Sequence, residues 1–168
     1  MGRYAVLALR VILATALAGS LVVQLALLPL LWLDMADLGA GVRIALVAIF
    51  FLGVVSLQVV GVCIWRLLTM VRADTVFSSA AFRYVDIVIG AIAAAAVLVL
   101  GIAVVAAYVN RTTPGDEVAP GVVGLICGAA LVVGGVALVV YVMRTLLVQA
   151  VETTAHARHL RAELDGVI

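Results

Sequence analysis

The chain has 168 residues, of which 67% are hydrophobic and 11% charged, with a mean hydropathy of +1.37. That leaves too little polar surface to cover a water-soluble globule of this size, so lipid must be part of its solvent. The formal net charge of +1 gives no whole-molecule attraction to nucleic acid. No direct nucleic-acid partner is therefore expected, and electrostatic arguments concern where the charges sit.

Four uncharged apolar segments stand out, at about residues 11–33, 44–65, 87–109 and 118–143. Each reaches the ~20 residues that a helix needs to cross a ~30 Å hydrocarbon layer. They are apolar on every face and lack the alternation of barrel strands. The expected fold is all-α: an integral-membrane four-helix bundle of two antiparallel hairpins, with both termini cytoplasmic. Residues 1–148 would form the transmembrane domain, with helices at about 4–33, 43–69, 79–109 and 119–148, and residues 149–168 a cytoplasmic helical tail.

A short basic lead-in, residues 1–10, precedes the first helix. With Ala16-Leu17-Ala18 it could imitate a cleaved secretory signal, but the apolar run continues to Leu33 and is long enough to span. Within this helix Thr15 and Gly19 offer a small-xxx-small contact, Gln24 is a polar group in the span, and Pro29 predicts a kink near the far end. A short loop carrying Asp34 and Asp37 follows. In the second helix Gly53 and Gly61 allow close backbone approach, and Gln58 needs a partner that lipid cannot supply. Gln24 is the obvious candidate, but counting from the helix centres separates the two by roughly 8 to 12 Å in depth at 1.5 Å per residue. Each glutamine is therefore expected to bond a nearby carbonyl or hydroxyl instead. The central depths of all four helices contain no ionisable side chain, which weighs against proton coupling or a charged ion path.

Residues 65–86, WRLLTMVRADTVFSSAAFRYVD, gather charge, hydroxyls and aromatics between two apolar runs. Ser78 fits as an N-cap, with Phe77 and Phe82 at the spacing of a hydrophobic staple, so the third helix should begin near Ser79. Arg83 and Asp86, three residues apart, can pair along that helix. Arg66 and Arg72 can reach lipid phosphates, and Asp74 with Thr75 suits a turn. The stretch reads as a capped interhelical turn with interfacial arginines. Its sharper reading is a docking surface in which Arg72, Asp74, Phe77, Phe82 and Arg83 meet a soluble partner, because aromatics and Arg supply most interface hot spots.

The run Trp65-Arg66-Leu67-Leu68, then Val76-Phe77-Ser78 and Phe82-Arg83, resembles the signature loop of the bacterial domain of unknown function 2975 family, small four-helix membrane proteins. The similarity extends over essentially the whole chain, including the tail Arg161-Ala162-Glu163-Leu164-Asp165. The resemblance implies a fold and a membrane address, but no activity and no catalytic residues. Members are often encoded beside a small helix-turn-helix regulator, which implies a membrane partner for a transcription factor.

The third helix is rich in small residues, including Gly90, Ala93 to Ala96 and Gly101. After it, Pro114-Gly115 predicts a turn, and Asn110-Arg111-Thr112 matches a glycosylation acceptor by coincidence. In the fourth helix Gly124 and Gly128 form a GxxxG, with Gly121 and Gly135 near the same stripe. Packing within the bundle, against the Ala-rich face of the third helix, is its expected use, and a homodimer seam is the alternative. Cys63 and Cys127 lie at different depths and should not meet. In the tail, Glu152, His156, His159 and Glu163 share one helical face. That face could hold a divalent metal, but two His without a third fixed ligand bind weakly, so a solvated face is expected, with no metal and no cofactor.

Eight arginines, Arg3, Arg10, Arg66, Arg72, Arg83, Arg144, Arg158 and Arg161, fall on one side of a four-span topology, against Arg43 and Arg111 on the other. The positive-inside rule puts the first set in the cytoplasm, and Trp65, Tyr4 and Tyr84 against Trp32 and Tyr108 suit the two interfaces. All ten basic residues are Arg, a composition associated with GC-rich bacteria, so the expected address is a bacterial inner membrane, multi-pass. The expected function is a nonenzymatic scaffold or regulator engaging a cytoplasmic partner through residues 66–86 and the tail. A subunit of a small-molecule or ion transporter or channel is the alternative. No nucleophile-base pair, closed metal set or paired carboxylate suggests an enzyme.

Overall fold

The computed structural model describes residues 3–72, 79–112 and 118–165, and within them the side chains of residues 4, 6–70, 82–112 and 118–153. All of the regular structure in these residues is helical. The first span comprises α1 (Arg3–Val22), one π-helical turn (Val23–Leu27) and α2 (Leu28–Asp34). It is followed by α3 (Ala40–Arg72), α4 (Ser79–Thr112) and α5 (Pro120–Asp165). Helices are the outcome lipid demands of such runs, since every backbone donor and acceptor is then satisfied within its own segment. Among the described residues, four stretches are long and apolar enough to cross a membrane: Val6–Asp34, Ala40–Met70, Phe82–Thr112 and Pro120–Thr153.

At the proline where a kink is expected, the first span changes its hydrogen-bond pattern. Pro29 sits in the first turn of α2 and has no N–H to donate, and its ring would press on the carbonyl four residues back. The chain answers with a π turn just ahead of it, in which the Leu28 N–H reaches Val23 O.

Sequence neighbours are also spatial neighbours. α4 lies between α3 and α5 and packs broadly on both, while the first span runs along α3 with thinner contact. Among the described residues no comparably close backbone contact joins α1 to α5, so the bundle is open along that side. Its tightest seams are made by small side chains. Ala103, Ala130 and Ala137 are buried, and a Cβ on Gly134 would meet Ala96 Cβ at 3.8 Å. Gly101 lies under Ile49 of α3, and Gly61 under Leu17 of α1, where an added Cβ would come within 3.2 Å of Leu17 Cδ2.

Three expectations about small residues fail here, the first at Gly53, which unlike Gly61 has nothing within 4 Å of where its Cβ would be. Gly19 has nothing within 4 Å of where its Cβ would be, so α1 meets α3 through Leu17 on Gly61 and not through a Thr15/Gly19 pair. The GxxxG of α5 also stays out of the bundle, with open space at Gly121, Gly124, Gly128 and Gly135. The cause is helix rotation. Arg144 is tied to Asp86 of α4, and at 100° per residue Ala130, Gly134 and Ala137 share the Arg144 face whereas Gly124 and Gly128 fall on the far side.

Candidate functional site

Polar and aromatic side chains concentrate in two belts, one at each end of the bundle. At the basic end, Arg10 Nη2 of α1 donates to Thr69 Oγ1 of α3 at 3.3 Å, and its guanidinium lies 5.8 Å from the centre of the Trp65 ring. Arg144 of α5 grips Asp86 of α4: Nη2 donates to Oδ2 at 2.7 Å, and Nε approaches Oδ1 at 2.6 Å without the alignment of a second hydrogen bond. Asp86 therefore turns across to α5 instead of pairing with Arg83 on its own helix, and Arg83 is exposed. Interhelical geometry wins because the planar guanidinium of Arg144 faces the carboxylate from the neighbouring helix at the same depth.

At the opposite end, the guanidinium carbon of Arg43 of α3 lies over the Trp32 ring of α2, 4.0 Å from its centre. Asn110 closes the other hairpin there, donating from Nδ2 to Val118 O at 2.9 Å and accepting at Oδ1 from the Val118 N–H at 2.7 Å. Its amide is thus a structural clamp between the end of α4 and the residues just before α5, a role that its place in a glycosylation-like triplet did not suggest.

The first span and α3 close on each other reciprocally. An arginine near the start of each meets a tryptophan near the end of the other, and 22 residues separate Arg10 from Trp32 and Arg43 from Trp65. That is about 33 Å of helix, and Asp86 to Asn110 spans about 36 Å. Both lengths match a hydrocarbon layer of ~30 Å with its interfaces. Because Arg10 pairs with the end of α3, and Asp86 at the start of α4 pairs with Arg144, the start of α1 and the far part of α5 share one end.

Between the belts lies one polar cluster, and it overturns the depth argument. Gln58 Nε2 donates to both Gln24 Oε1 at 2.9 Å and Ser20 Oγ at 3.0 Å, while the Ser20 hydroxyl donates to Leu17 O at 2.7 Å. Counting residues placed the two glutamines too far apart because it ignored side-chain direction. Cα–Cβ bonds tilt toward a helix's N-terminus, so in this antiparallel pair Gln24 leans toward the basic end and Gln58 away from it, and the two converge. Gln24 Nε2 is left buried without an acceptor. Beside it, a groove of about 440 Å³ opens between the first span and α3, with Gln24, Leu28, Pro29, Trp32, Val47 and Phe51 on its walls.

Of the expected docking residues, Asp74 and Phe77 lie outside the described residues, as does the Ser78 cap. Arg72 ends α3, with its side chain likewise outside them. Phe82 is half-buried and Arg83 exposed in the first turns of α4, which begins at Ser79. Arg10 and Arg144, which the topology had already put at that end, adjoin it with Thr69; what residue order did not give is their partners, Thr69 and Trp65 for Arg10 and Asp86 for Arg144. Among the described residues no group of three or more His, Cys, Asp or Glu is placed to hold a metal. The side chains of His156, His159 and Glu163 lie outside the described residues. Cys63 and Cys127 are both free.

Four helices of spanning length, apolar toward the outside and belted with Arg and Trp at both ends, define a multi-pass membrane protein. The sequence matches the profile of the family described as Protein of unknown function (DUF2975) over residues 33–168, and the chain belongs to that family. The match starts at the end of the first span, so it is narrower than the whole-chain resemblance expected. No curated protein and no solved structure matches the chain.

Proposed function

We propose that this protein is a nonenzymatic scaffold or regulator of a bacterial inner membrane, with its basic end in the cytoplasm. There it engages a soluble protein, the helix-turn-helix regulator that the family resemblance implies, through residues 66–86 and the C-terminal part of α5. The observation that supports this reading is the length of α5. Arg144 belongs to the basic belt, yet the helix continues to Asp165, about 32 Å further at 1.5 Å per residue. A helix that long beyond the hydrocarbon is a rigid arm beside the exposed Arg83. Phe77, Phe82 and Arg72 would supply aromatic and guanidinium anchors, with Asp74 for a basic counterpart.

The test is co-purification of the intact protein with a helix-turn-helix regulator of the kind the family resemblance implies. Binding should fall at least tenfold in a Phe77→Ala/Phe82→Ala variant and on removal of residues 149–168. Equal capture by all three proteins refutes the docking surface, and a label at Ile168 reactive only from outside the cell refutes the orientation.

The exposed Gly124/Gly128 face of α5 supports a second element of the proposal. With open space over both glycines, a second copy could approach backbone to backbone, making a homodimer. The transporter or channel alternative also needs such assembly to line a path. Cross-linking from cysteines placed beside Gly124 tests it, and a monomer at all protein-to-lipid ratios rules it out.

A further inference from the structure

One side of α5 holds it to the bundle, where Gly134 lies against Ala96 and Arg144 grips Asp86. Gly124 and Gly128 face the opposite way, with open space over them. At 100° per residue that opposite side continues through Val139 and Leu146, which are 62% and 55% exposed, to Thr153 and then, by register, to Ala157, Leu160 and Leu164. These positions all fall within about 40° of one line along the helix. None of them is charged, although Arg144, Glu152, Arg158, Arg161, Glu163 and Asp165 occupy other sides of the same segment. Up to the basic belt, lipid accounts for such a stripe. Beyond Arg144 it runs about 30 Å further along α5, where water is the solvent and an uncharged face on an otherwise charged helix calls for a protein to cover it.

We propose that this side of α5 docks against the same side of α5 in a second copy, so that two parallel helices cross the membrane together and continue as a two-stranded coil of arms. The inference rests on the Gly124/Gly128 pairing and extends it beyond the basic belt. A soluble partner reaches only the arm, whereas a partner for the whole stripe must itself cross the membrane. A second copy inserted in the same direction brings an identical face to the same depth, about a twofold axis along the membrane normal. Leu146, Ala150, Thr153, Ala157, Leu160 and Leu164 follow one another at alternating steps of four and three residues, the spacing of a coiled-coil seam. Thr153 and Ala157 are small and carry the close approach of the glycines out of the membrane. A steep crossing at Gly124 and Gly128 would engage only a turn or two of each helix. A stripe that keeps one side from Gly121 to Leu164, about 64 Å, suits two nearly parallel helices instead. A third of the girth of a helix is about 11 Å wide, so the stripe covers about 700 Å² on each copy. The total of about 1,400 Å² is the size of a specific interface.

Both cysteines are free, so the full chain carrying Cys63→Ala and Cys127→Ala accepts single cysteines for disulfide mapping. Isolated membranes are oxidised with copper phenanthroline, and the product is read at twice the 17.4 kDa of the chain. A disulfide needs Cα atoms within about 7 Å, so Ala157→Cys, Leu160→Cys and Leu164→Cys should give about fivefold more dimer than Ala155→Cys, Arg158→Cys and Ala162→Cys on the far side of the arm. Gly128→Leu, in the membrane part of the seam, should lower the Leu160→Cys dimer by about fivefold as well. Equal linking at all six arm positions, with Leu125→Cys still forming a dimer, overturns the paired arms and leaves the Gly124/Gly128 pairing standing. No dimer at any position overturns both. Linking of the three seam positions to a protein of another mass, or a Leu160→Cys dimer undiminished by Gly128→Leu, also overturns the proposal.

Discussion

Replacing each glutamine of the half-buried pair separately should have unequal effects. Gln58 Nε2 makes two hydrogen bonds, at 2.9 and 3.0 Å, whereas Gln24 makes one and carries a buried amide nitrogen with no acceptor. Interhelical hydrogen bonds in membranes average about 0.6 kcal/mol and reach about 1.7. Gln58→Leu loses both bonds and strands the whole Gln24 amide, which together cost about 1–3 kcal/mol. Gln24→Leu loses one bond but also removes the orphaned donor, whose burial costs about 1 kcal/mol or more, so its net effect should lie within about 0.5 kcal/mol of zero. The double variant, with no stranded amide, should recover most of the Gln58→Leu loss. Reversible unfolding by titrating dodecyl sulfate into mixed micelles, followed by far-UV circular dichroism, measures all three. If Gln24→Leu costs as much as Gln58→Leu, the network drawn here is wrong and Nε2 has a partner.

Three other expectations follow from the belts and seams. The Arg144 and Asp86 side chains are 27% and 49% exposed, so solvent screening limits the pair, and an Arg144→Ala/Asp86→Ala double-mutant cycle should give a coupling of about 1 kcal/mol; a value indistinguishable from zero would remove the clasp between α4 and α5. Gly134→Leu should destabilise the bundle by about 1–3 kcal/mol, because the added side chain runs into Ala96, while Gly128→Leu, in open space, should leave the monomer's unfolding curve unchanged. Asn110→Ala leaves the Val118 N–H and C=O without their partner, and should cost about 1–2 kcal/mol and speed proteolysis between α4 and α5.

What could be read from sequence was set by one dimension. Four spans, their short connectors and the start of α4 at Ser79 follow from the length of apolar runs and from cap spacing, and these depend only on position along the chain. Which side chains meet depends on helix rotation and on the lean of each Cβ, which residue counting omits. Gln24 and Gln58 met although their depths argued against it. Asp86 pairs with Arg144 of α5 and not with Arg83 of its own helix, and Gly124 and Gly128 lie on the side of α5 away from that pair. The Arg10/Trp65 and Arg43/Trp32 contacts were hidden for a related reason. The tryptophans had been accounted for as interfacial anchors and the arginines as charges that set topology, and nothing in their own neighbourhoods showed that they face each other.

The reciprocal Arg–Trp contacts also bear on how the first hairpin enters a membrane. Exchanging the two ends of the α1–α3 pair brings an arginine onto a tryptophan again, with the same 22-residue interval. Such a hairpin is nearly indifferent to which leaflet receives which end, so the contacts hold it at the right depth without choosing its direction. The direction must come from charges that have no counterpart at the other end, and Arg3, Arg66 and Arg72 all lie at the same one. Moving one of these should disturb insertion without loosening the helices, and breaking an Arg–Trp contact should do the reverse.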